Sequence, residues 1–159
     1  MQMKNKKMLS ILLLFISACS SISEEDTMLK TTKKIIYTIE NEQAGDFKHF
    51  IGPPLLSTGR DDEMLNSDFA KFKLLLDKRK AQQDKINITD LYNVMGQRIV
   101  DIPIEKNGSE TPDSIYHLLL FFGPPNIYPL SKITDYQLTR GNKMPEDFRE
   151  MKKPVRSPR

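Results

Sequence analysis

One run limits the architecture more than any other part of this chain: Ile115-Tyr116-His117-Leu118-Leu119-Leu120-Phe121-Phe122. It is apolar at both alternating sets of positions, and Gly123-Pro124-Pro125-Asn126 stops it. A strand whose two faces are both apolar belongs at the centre of a sheet. Its neighbours are readable from the same period. Residues 98–104 put Val100, Ile102 and Ile104 on one face, and residues 132–139 put Thr134, Tyr136 and Leu138 on one side. Asn107-Gly108 is a strong turn pair within the connection that ends near Pro112. A further strand is expected over residues 33–40, where Ile35, Tyr37 and Ile39 alternate with Lys34, Ile36, Thr38 and Glu40.

Helical spacing is expected from an N-cap at Ser67 or Asp68 to about Gln83, with Phe69, Phe72 and Leu75 or Leu76 on one side. A second, shorter helix is expected from Thr89, through Asp90-Leu91-Tyr92-Asn93-Val94-Met95, with Gly96 as its left-handed terminator. A strand is the rival for residues 88–100, which look like strands of the C-terminal sorting domains on type-nine secretion cargo. Those domains end their chains, whereas this stretch lies mid-chain. The expected fold class is α+β: a small single domain with an antiparallel sheet of three to four strands and two helices packed on one face. A flexible N-terminal tether and a basic C-terminal tail flank it.

The only cysteine, Cys19, closes the run Met8-Leu9-Ser10-Ile11-Leu12-Leu13-Leu14-Phe15-Ile16-Ser17-Ala18-Cys19, which follows Lys4, Lys6 and Lys7. A positive start, a short apolar stretch and small residues are the marks of a secretory signal. Residues 8–16 are too few to cross a hydrocarbon core, which needs roughly 20 apolar residues in a helix. Ile16-Ser17-Ala18-Cys19 resembles the lipobox of bacterial lipoproteins: an aliphatic residue, two small residues, then cysteine. The resemblance implies diacylglycerol on the Cys19 thiol, cleavage before Cys19 and acylation, for example with palmitate, of the new amino group. Several acyl chains on one residue would anchor it stably, since each buried methylene adds about 0.8 kcal/mol. Ser20 resembles the residue that, in enteric-type lipoproteins, permits transport to the outer membrane, which is the favoured location. In other bacterial groups an acidic patch after the cysteine, here Glu24-Glu25-Asp26, resembles a surface-export signal. A lone thiol leaves no disulfide framework for the mature domain.

The expected organisation is a signal peptide over residues 1–18, a lipidated tether over 19–32, a globular domain over 33–139 and a basic, proline-containing tail over 140–159. Loss of residues 1–18 removes three of the 24 basic residues and no acid, leaving 21 basic against 21 acidic. The basic pI therefore gives no support to nucleic-acid binding. The tail carries Arg140, Lys143, Arg149, Lys152, Lys153, Arg156 and Arg159 against Glu146, Asp147 and Glu150, and reads as a solvated, disordered terminus.

The order of two helices followed by three strands looks like the small outer-membrane assembly lipoproteins of the BamE or SmpA/OmlA type, which also begin at a lipidated cysteine. Those proteins usually carry a glycine-proline step after the second helix, where this chain has Gly96-Gln97.

Chemistry-bearing motifs are few. The two histidines, His49 and His117, are not paired, and no cysteine is left for a metal. Asp61-Asp62-Glu63 lacks the ligand spacing of a calcium loop. No nucleophile elbow, phosphate loop or dinucleotide fingerprint is present. No catalytic, cofactor-binding or metal residue is therefore assigned. His117 is expected on the strand face of Ile115, Leu119 and Phe121, either as a core residue with one hydrogen bond or beside a pocket. Ile127, Tyr128 and Leu130, bounded by prolines, form a candidate interaction surface or a cap on the core. The expected function is a non-catalytic scaffold or accessory subunit of an envelope complex, held to the membrane through Cys19 and docking on an unidentified envelope protein. The alternative is a lipoprotein that binds a small apolar or cell-wall ligand.

Overall fold

The computed structural model describes residues 23–53, 62–92, 96–106 and 110–141. Cys19 with the apolar run before it, the Asn107-Gly108 turn and the tail from residue 142 onward lie outside the described residues.

The chain enters the domain through a helix. Helix α1, Glu24–Asn41, is capped by Ser23, whose Oγ accepts from the Asp26 N–H at 3.0 Å while the Asp26 carboxylate accepts from the Ser23 N–H. This reciprocal pair satisfies two otherwise orphan donors, and the acidic first turn (Glu24, Glu25, Asp26) suits the positive end of the helix dipole. Helix α1 corrects two expectations. The tether does not run to residue 32, and residues 33–40 are not a strand. The buried residues Met28, Thr32, Ile35, Ile36 and Ile39 recur at three- and four-residue intervals, which defines one helix face. The alternation of Ile35, Tyr37 and Ile39 is a short-range coincidence inside that longer pattern.

Helix α2, Ala44–Lys48, is one turn long, and it places Phe47 in the core. Phe47 packs against Phe69, Phe72 and Tyr136 with ring centroids 5.8, 6.4 and 5.6 Å away, in tilted and edge-on arrangements. Such pairs add to the burial of the rings themselves. Helix α3, Asp62–Lys78, supplies Leu65, Phe69 and Phe72. It starts before the expected cap at Ser67 or Asp68 and stops short of Gln83. Asp68 instead accepts from the Tyr136 hydroxyl at 3.0 Å.

Five antiparallel strands follow: β1 (Lys80–Ala81), β2 (Asn87–Tyr92), β3 (Arg98–Glu105), β4 (Tyr116–Phe122) and β5 (Asp135–Arg140). Strands β1 and β2 both pair with β3, β3 pairs with β4, and β4 pairs with β5. The apolar run 115–122 is thus the inner strand expected of it. The second helix expected from Thr89 is absent over residues 87–92, which form a strand with a register irregularity between Ile88 and Tyr92. Gly96 does take a left-handed φ of 71°; Asn93-Val94-Met95, the rest of the expected helix, lie outside the described residues. Arg140, assigned to the tail, closes β5.

The sheet divides the molecule. Val100, Ile102, Ile104, Leu118, Leu120, Phe122 and Tyr136 face the helices and form the main core with Met28, Ile35, Ile36, Ile39, Phe47, Leu65, Phe69 and Phe72. Ile99, Leu119 and Phe121 make a second buried cluster on the other face. The fold is a small α+β domain with an antiparallel sheet, as expected; among the described residues it has three helices and five strands, against the expected two and three to four.

Candidate functional site

Cys19 and the first described residue, Ser23, are close in sequence. Ser23 caps α1 only four residues beyond Cys19. Four residues reach at most about 14 Å even when fully extended. Whatever is attached at Cys19 stays near the N-terminal end of α1.

On the sheet face away from the helices, His117 of β4 sets its Nδ1 2.8 Å from Asp101 Oδ1 on β3. The two side chains are only 14% and 18% exposed. In register, Asp101 lies opposite Leu119, and His117 lies between Pro103 and Thr139. A carboxylate, an imidazole and a hydroxyl therefore occupy neighbouring positions on three adjacent strands. Nucleophilic activation requires the base to hold the hydroxyl in a hydrogen bond. Thr139 Oγ1 is buried and makes none. His117 thus makes its hydrogen bond to a partner on the next strand. His117 shares its face with Leu119 and Phe121, as its position in the alternation requires.

The proline-bounded residues separate into two roles. Leu130 packs against the main core, and its carbonyl accepts from Thr31 Oγ1 at 2.8 Å. Tyr128 lies over Gly123, where an added Cβ would come within 2.3 Å of the ring. Only a glycine permits that approach. Ile127 stays 64% exposed. The backbone N–H groups of Ile127 and Tyr128 both donate to the Pro124 carbonyl at 2.9 Å, which closes the turn.

A groove of about 630 Å³ lies along the outer side of α1 and the end of α2. Leu29 and Phe50 contribute its apolar surface, Lys30, Lys33 and Lys34 its cations, and Asp26, Glu42 and Asp46 its anions. His49 lines it, whereas His117 does not. Sequence reasoning missed this groove because it assigned residues 24–32 to a tether. The usable signal was the Ser23-Glu24-Glu25-Asp26 cap followed by Met28, Thr32, Ile35 and Ile39.

One more polar cluster ties the end of α3 to the β3–β4 connection. Arg79 donates to Glu110 at 2.6 Å, and the Lys106 N–H donates to the same carboxylate at 2.7 Å. The Arg79 hydrogen bond, helped by that of Lys106, holds the Glu110 pKa below its ordinary value. This pair makes a structural clasp. Among the described residues, no group of three or more histidine, cysteine, aspartate or glutamate side chains is placed to hold a metal ion. No described helix is long and apolar enough to cross a membrane. The chain matches no protein-family model, no curated protein and no solved structure.

Proposed function

We propose that this chain is a bacterial envelope lipoprotein, anchored through lipid on Cys19, that serves as a non-catalytic scaffold or accessory subunit docking on another envelope protein. The observation that carries the proposal is the sequence Ile16-Ser17-Ala18-Cys19 at the end of an apolar run that follows three lysines. Two further features support it. Cys19 is the only cysteine, so the thiol has no disulfide role within the chain. Folded structure begins within four residues of it, so a lipid there would hold the whole domain at a membrane surface. The location proposed is the outer membrane, from Ser20. Metabolic labelling with palmitate tests the anchor: label is expected on the wild type and absent from Cys19→Ser. Equal labelling of both would remove the proposal. In vivo cross-linking from the surface of α1 tests the docking role, and the expected result is one recurrent envelope protein.

The ligand-binding alternative has one observation in its favour. The α1–α2 groove has the volume of a small-molecule site and mixes apolar surface with charged groups. Under that alternative, Phe50→Ala weakens binding of an apolar reporter dye. An unchanged dye titration would leave the groove without a ligand role.

A further inference from the structure

Three measured contacts locate the exposed Ile127 turn relative to the anchored end of the chain. Glu25, in the first turn of α1, pairs with Arg98 at 2.9 Å. Arg98 lies opposite Phe122, the last residue of β4, from which the turn departs. Thr31 Oγ1 donates to the Leu130 carbonyl at the other end of the turn. Residues 123–130 therefore lie beside the first two turns of α1. Eight residues of helix, from Ser23 to Thr31, span about 12 Å. The link from Cys19 to Ser23 adds at most about 14 Å.

We propose that the turn at residues 124–128 is a membrane-contacting tip, with Ile127 inserted into the interfacial layer of the same bilayer that holds the lipid on Cys19. This rests on the lipoprotein reading above and adds a second point of membrane contact to it. The chemistry of the tip fits. Gly123-Pro124-Pro125-Asn126-Ile127-Tyr128-Pro129-Leu130-Ser131 contains no charged residue, so no ion is stripped of water on entry. The turn is held by its two hydrogen bonds to Pro124 and by Tyr128 seated on Gly123, so little conformational freedom is lost on insertion. Ile127 is the most exposed of the large apolar residues described.

The chain contains no tryptophan, so Ile127→Trp installs a single indole reporter. Leu74→Trp is the control. Leu74 is 56% exposed on α3, next to Lys73, whose Nζ reaches the Glu42 carbonyl at the opposite end of α1. Each protein is purified with its lipid, verified by intact mass, and reconstituted into phosphatidylcholine vesicles with or without brominated acyl chains. The expected result is a blue-shifted emission for Ile127→Trp and its loss in brominated vesicles, with Leu74→Trp unaffected. Water-like, unquenched emission from position 127 in protein that floats with the vesicles would overturn the tip while leaving the anchor intact. Equal quenching at both positions would overturn it as well. A cross-link from position 127 to a protein, without lipid quenching, would reassign the turn to a protein partner. A mass lacking lipid on Cys19 would remove the anchor and the tip together.

Discussion

Thr32 is fully buried in α1, and its hydroxyl has no hydrogen-bond partner. Valine has the same branching without the polar atom. Thr32→Val is therefore expected to raise stability by about 1 kcal/mol, read as a higher urea midpoint. Glu110 gives a pH dependence of known sign. Its pKa is lowered in the folded state, first by the Arg79 hydrogen bond, so its contribution is present above the ordinary carboxylate range and is lost as pH falls through the lowered value. Urea midpoints measured from pH about 7 down to about 3 should fall less steeply for Glu110→Gln than for the wild type. At His117 the sequence supplied the strand face. It could not supply the partner, because Asp101 becomes a neighbour only through the β3–β4 register. Ile127 and Tyr128 are adjacent in sequence yet differ in role. Gly123, five residues before Tyr128, gives its ring a seat, while Ile127 stays outside.

Among the elements, β3, β4 and β5 were legible because their signals are local. β3 and β5 carry stretches with a period of two, and β4 is apolar on both faces with a Gly-Pro-Pro stop. Helix α1 was not, although its cap and its face are both written in the sequence. The helix is rich in threonine and isoleucine, and a window of eight residues cannot tell its period from a strand's. Ser23→Ala tests the cap: losing it should cost about 1 kcal/mol, visible in the same urea titration. Strand β2 was misread for a different reason. Gly96 was correctly expected to be left-handed, but a positive φ does not by itself identify a helix terminus. In the main core, Ile36 is fully buried between α1 and its neighbours. Ile36→Ala should cost between about 2 and 5 kcal/mol, far more than the cap. The groove was illegible for the same reason as α1, since one of its walls is the outer side of that helix.

For the molecule as a whole, the start of α1 at Glu24 would set the geometry of the proposed anchor. A tether of fourteen residues would let the domain range widely from the bilayer. With lipid on Cys19, Ser23, four positions further along the chain, would stay within about 14 Å of the attachment. An accessory subunit held so close would meet partners that also lie at the membrane surface, in orientations restricted by the anchor. Restricting position in this way raises the effective concentration of a partner in the same membrane without any new contact. The docking role, the short link and the Ile127 tip all depend on one covalent event at Cys19. Intact and N-terminal peptide mass spectrometry of the protein taken from the membrane fraction measures it directly. The account predicts a chain that starts at Cys19 and carries diacylglycerol together with an amide-linked acyl group. A chain that starts elsewhere, or one with an unmodified Cys19 thiol, would contradict it.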